Sequence, residues 1–139
     1  MKQELNTLGE VFIQSLKMTL DKTTPESIDE ILNSRDQPEF SSLWMKAYQA
    51  VEEMEMEEAL RDQVDEIRKE IFLFTFRTAN SSDLPAYISE DFELIASYYI
   101  YKIENPWVNH LFFTYLNHQI PHGELMKTDK TLKELVMSV

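Results

Sequence analysis

From Glu39 to Leu84 the chain contains neither glycine nor proline. A stretch without either backbone breaker is compatible with helix throughout, whereas β folds need frequent glycine-rich turns. Glycine is scarce elsewhere too, with only Gly9 and Gly123 in 139 residues. Dinucleotide-binding and phosphate-binding loops need several glycines close together, so nucleotide binding by those routes is excluded. Five prolines punctuate the chain instead: Pro25, Pro38, Pro85, Pro106 and Pro121. Thr24-Pro25-Glu26, Pro38-Glu39 and Asn105-Pro106 each read as a helix start, with proline at the first helical position. Asn33, Asn80 and Asn117 are placed to take the left-handed, helix-ending conformation that the missing glycines leave vacant.

Apolar periodicity predicts an all-α single-domain bundle of six to seven short-to-medium helices spanning residues 1–139. The first covers about 2–20, with Leu5, Leu8, Phe12, Leu16 and Leu20 on one stripe. Short helices follow over 25–33 and from Glu39, the latter carrying Phe40, Leu43, Trp44, Ala47, Tyr48, Val51 and Met54. A fourth carries Leu60, Val64, Ile67 and Ile71 and ends near Asn80. The rest are expected over 89–103, opened by Ser89-Glu90-Asp91, then over 106–118 and 129–137. At 100° per residue the stripes of the third and fourth helices point roughly 150° apart. A straight helix cannot bury both against one core, so a break or sharp bend is predicted between Met54 and Ala59.

That break falls inside the acidic run EEMEMEEALRDQVDE, residues 52–66. It holds eight carboxylates against Arg61, a local charge of −7 in a chain whose net charge is −12. Glu58, Asp62, Asp65 and Glu66 lie opposite the Leu60–Ile71 stripe and form an exposed acidic face. Glu58–Asp62 and Asp62–Glu66 repel by about 0.2–0.5 kcal/mol each, which Glu57–Arg61 and Asp65–Lys69 offset. Glu90 and Asp91 are explained by the dipole of the helix they open, and Glu93 extends an acidic rim. The overall charge disfavours nucleic acid and anionic membranes and favours a basic protein partner. A solvated, solubilising helix surface explains the same run without any partner.

Chemistry is poorly represented. The chain lacks cysteine, which removes disulfides and thiolate metal sites. His118 and His122 have the spacing of two helical zinc ligands, but Pro121 interrupts the helix that would align them. No HExxH, ExxH or GxSxG motif is present. No catalytic, metal or cofactor-binding residue is assigned, and the chain is expected not to be an enzyme. The start, MKQELNTLGEVF, carries no apolar signal-peptide core, and the IFLFTF run at 71–76 is too short to span a bilayer. A cytoplasmic location is expected.

Twelve of the sixteen aromatic residues fall between Phe72 and Tyr115. Tyr98, Tyr101 and Trp107 suit interface anchors, whereas Leu94, Phe112 and Phe113 suit the core. The segment ISEDFELIASYYIYKIENPWVN, residues 88–109, resembles in type the small acidic helical immunity proteins of bacterial toxin–immunity systems, contact-dependent and polymorphic ones included. That resemblance implies a protein that neutralises a cognate toxin domain, often a basic nuclease. It carries over no binding residues. The residues chosen for partner binding are therefore Glu55, Glu58, Asp62, Asp65, Glu66, Tyr98, Tyr101 and Trp107, in a monomer or weak homodimer. A carboxylate surface that mimics DNA is a variant of this reading. A helical scaffold that self-associates through its aromatic residues, or an enzyme with a desolvated carboxylate beside His110, stays open.

Overall fold

The structure is a computed structural model and describes residues 1–138. Those residues form seven helices and no strand: α1 (Lys2–Asp21), α2 (Pro25–Arg35), α3 (Pro38–Val51), α4 (Glu58–Ala79), α5 (Leu84–Tyr101), α6 (Pro106–Leu116) and α7 (Leu132–Met137). The all-α bundle expected from periodicity is the observed architecture.

The prolines start helices as their local chemistry requires. Thr24 accepts a hydrogen bond from the Ser27 amide, and the Ser27 hydroxyl accepts one from the Thr24 amide. The Asn105 side chain accepts from the Val108 amide. The expected break is present, with α3 ending at Val51 and α4 beginning at Glu58. Of the three asparagines expected to end helices, Asn80 does so, with φ of 52°. Asn33 instead lies inside α2, and Asn117 keeps φ of −94°. Lys102 and His118 adopt left-handed conformations in their own right, at φ of 58° and 63°. Both conformations cost on the order of 1 kcal/mol in a residue with a Cβ, and each is accompanied by a helix-ending backbone hydrogen bond, from the Ile103 amide to the Tyr98 carbonyl and from the Gln119 amide to the Thr114 carbonyl.

α5 is the central helix and packs against α4, α1, α3 and α6. It starts at Leu84 rather than Ser89, because Pro85 sits in its first turn and the Ser81 hydroxyl accepts from the Leu84 amide. Its buried residues include Leu84, Ile88, Phe92, Ile95 and Tyr98. The α1 stripe of fully buried Leu5, Leu8, Phe12 and Leu16 serves a helix packed on α4, α6 and α5, with Phe12 meeting Phe92 of α5. Gly9 lets α1 approach α4 closely, since a Cβ there would stand 2.9 Å from the Ile67 side chain. After α6, the chain buries Ile120, Pro121 and Leu125 before α7 opens with a Thr131–Glu134 capping box.

α3 departs from expectation. Phe40, Ala47 and Val51 are buried, but Leu43, Tyr48 and Met54 remain substantially exposed. An edge helix packed on α2, α5 and α6 can bury only one flank. Its other flank is left as a wall over α5.

Candidate functional site

The outer face of α4 has two halves. Glu58, Asp62, Asp65 and Glu66 are exposed on its first half, and Glu55 is exposed in the connection before it. Their direction follows from Leu60, Val64, Ile67 and Ile71, which turn the other way into the core. Among the described residues none of these five carboxylates makes an ion pair. Arg61 does not neutralise Glu57 as its spacing suggested. It reaches Glu93 of α5 at 2.9 Å, and Arg68 pairs with the other oxygen of the same carboxylate. Glu93 is therefore an inter-helix tie rather than part of an acidic rim. Carboxylates crowded on one helix face without counter-charges leave a strong negative potential there.

The second half of the same helix is apolar, with Phe72, Leu73 and Phe76 exposed at 38, 39 and 53 %. The periodicity argument did not pick these residues as anchors. A signal was present: IFLFTF is apolar on every side, while the core stripe takes only Ile71 and Thr75 from it.

The aromatic residues chosen from sequence fare unequally. Tyr98 is 1 % exposed and its hydroxyl donates to the Ala47 carbonyl at 2.8 Å, so it is a core residue and cannot anchor a partner. Tyr101 is half-buried and donates to the Met54 carbonyl at 3.1 Å, beside the connection that carries Glu55. Trp107 is half-buried and meets the Phe40 ring edge-on at 5.4 Å. His110 is half-buried and hydrogen-bonds through Nε2 to the Thr128 carbonyl at 3.1 Å.

Between α3 and the first half of α4, over α5, lies a groove of about 560 Å³. Trp44, Met45, Tyr48 and Met54 form one wall, Arg61 and Arg68 the other, and Glu90, Glu93 and Leu94 lie between them. Trp44 and Tyr48 are stacked, with ring centroids 5.6 Å apart. Glu90 is solvent-exposed, yet partial desolvation raises its carboxyl above the ordinary value, against the opposing pull of Arg68.

Beneath the groove is a buried polar cluster centred on Asp91. Its Oδ1 accepts from Arg35 Nη2 at 2.8 Å and Trp44 Nε1 at 2.9 Å. Its Oδ2 accepts from Arg35 Nη1 at 2.9 Å and the Tyr115 hydroxyl at 2.6 Å. Arg35 also donates to the Pro121 carbonyl at 2.9 Å and lies over the Phe40 ring at 4.5 Å. Burial by itself would lower the Arg35 pKa, but Asp91 more than reverses that. Asp91 is thus not a helix-dipole residue: α5 starts seven positions earlier, and the side chain is fully buried. Its place on the stripe of Leu84, Ile88, Ile95 and Tyr98 was the sequence signal.

Burial, then the Asp91 charge, raises the Tyr115 hydroxyl well above its ordinary range. A raised folded-state pKa gives stability that is complete below the unfolded value near 10 and declines as pH climbs beyond it. Tyr115→Phe is expected to flatten that alkaline decline, measured as denaturation midpoints between pH 9 and pH 11. An unchanged slope would contradict the ionisation account.

Among curated proteins, none matches this chain. The family model described as Immunity protein PIM1 matches residues 10–122, which takes in the acidic face, the groove and the buried cluster. The chain therefore belongs to the immunity protein PIM1 family, and its function is that of an immunity protein neutralising a toxin.

Proposed function

We propose that the outer face of α4 receives the toxin, that the toxin domain is basic, and that inhibition works by binding rather than catalysis. The observation that carries this reading is the pairing on one helix of uncompensated carboxylates with exposed Phe72, Leu73 and Phe76. Carboxylates accelerate and orient encounter with a cationic surface, and desolvated aromatic side chains supply most of the lasting affinity. The molecule exposes 7909 Å², and a standard interface takes about 800 Å² from each partner. The face of α4, with Glu55 and Tyr101 at its edge, can contribute the centre of such a patch. A basic nuclease domain matches the required charge.

Glu58→Lys/Asp62→Lys/Glu66→Lys tests the face directly. Association with a cognate basic toxin domain is expected to slow at least about tenfold at low salt. The wild-type rate should fall steeply with salt and the variant's should not. Unchanged capture by a folded triple variant would remove α4 from the interface.

The exposed Phe72, Leu73 and Phe76 also support a second reading, in which they join two copies of this chain. Sedimentation at two protein concentrations separates the readings. A concentration-dependent dimer lost in Phe72→Ser/Phe76→Ser favours self-association, and a monomer that captures toxin favours the first.

A further inference from the structure

Three acidic side chains of α5 stand within one turn of each other and have different surroundings. Asp91 is saturated by four donors from Arg35, Trp44 and Tyr115. Glu93 takes Arg61 and Arg68. Glu90 takes no hydrogen bond or ion pair among the described residues, although it lies in the same groove. Its oxygens are the acceptors left unfilled at the base of a cleft one wall of which is the stacked Trp44–Tyr48 pair with Met45.

We propose that the groove between α3 and α4 is a receptor for one arginine side chain of the bound partner, with Glu90 accepting the guanidinium and Tyr48 stacking on it. Three features favour this occupant. A carboxylate beside an aromatic wall matches the two faces a guanidinium presents, its donor edge and its planar surface. Lysine lacks that plane and is the poorer fit. The thioethers of Met45 and Met54 provide an adaptable lining for the aliphatic stem. Arg61 and Arg68 spend their hydrogen bonds on Glu93, so Arg68 acts on Glu90 through space without an ion pair and leaves its oxygens open.

The identity of the partner as a toxin rests on the preceding reading, but the groove can be tested without it. The probe is an acetylated pentapeptide with one central arginine, and its control replaces that arginine by neutral citrulline. The chain has two tryptophans. The indole N–H signal of Trp44 therefore reports the groove, and that of Trp107 serves as an internal reference. In the full-length chain the Trp44 signal is expected to move saturably with the arginine peptide while Trp107 stays still. The citrulline peptide should bind about tenfold more weakly, and Glu90→Gln should weaken the arginine peptide by about the same factor. An unperturbed Trp107 signal in Glu90→Gln confirms that the fold is retained. Equal binding of the two peptides, a silent Trp44 signal, or no effect of Glu90→Gln would overturn the proposal. Any of those results leaves toxin capture by α4 standing, and failure of the α4 triple variant to lose capture leaves the groove standing.

Discussion

Asp91→Asn is expected to destabilise the protein by about 3–5 kcal/mol, because it leaves the Arg35 guanidinium buried without a counter-charge. For a domain of this size the thermal midpoint should fall by roughly 10–15 °C. The cost comes from stranded partners rather than from a strong net attraction. Arg35 is 4 % exposed and Asp91 0 %, so neither can recover its hydration once the other is altered. Trp44 and Tyr115 lose part of their shared acceptor at the same time. Arg35→Met should be similarly costly, since it leaves the Asp91 carboxylate exposed to the same deficit. The double variant Arg35→Met/Asp91→Leu should lose much less than the sum of the two, because no buried charge is left unpaired. Urea denaturation of the four proteins checks this, and simple additivity would show that the pair does not act as a unit.

Phe12→Ala is expected to cost about 3–5 kcal/mol through loss of buried area and the cavity that remains. Phe12 is fully buried where α1 meets α5 and α6. Its ring packs edge-on against Phe92 at 5.2 Å and at a tilt against Tyr115 at 4.7 Å. Tyr115 also holds Asp91, so the aromatic core and the polar cluster share a residue. Combining Phe12→Ala with Tyr115→Phe should reveal a coupling of at least about 0.5 kcal/mol. Strict additivity, or a loss below 1 kcal/mol for Phe12→Ala alone, would contradict this picture of the packing.

Local features of the chain were legible before any tertiary structure. Pro25, Pro38 and Pro106 mark helix starts because their fixed φ suits the first turn and their missing amide is not needed there. The break after Val51 follows from two stripes that cannot share one core. The acidic face of α4 follows from the same wheel, since residues opposite a buried stripe must face outward. The resemblance to immunity proteins is matched by the family to which the chain belongs.

The misreadings share a cause. Tyr98 and Asp91 both lie on α5, and the residue types alone suggested a surface anchor and a helix-dipole acid. Both are buried because partners arrive from distant parts of the chain: the Ala47 carbonyl for Tyr98, and Arg35 for Asp91. Periodicity places both on the buried stripe of α5, but burial of a polar group also requires a complementary group, and periodicity does not say which residue supplies it. The same holds for Leu43 and Tyr48, which belong to an apolar stripe but lie where no other helix covers α3.

The sequence by itself determined the proline-marked starts of α2, α3 and α6, where the long glycine-free stretch breaks, and which side of α4 is acidic. Those properties are set by φ restriction, side-chain period and charge, all of which act over a few residues. Only the tertiary structure decided which carboxylates of α5 are satisfied and which is left open, and that Phe72, Leu73 and Phe76 stand exposed beyond the acids. Those outcomes depend on helix packing, which joins Arg35 to Asp91 and Arg61 to Glu93 across long intervals of chain.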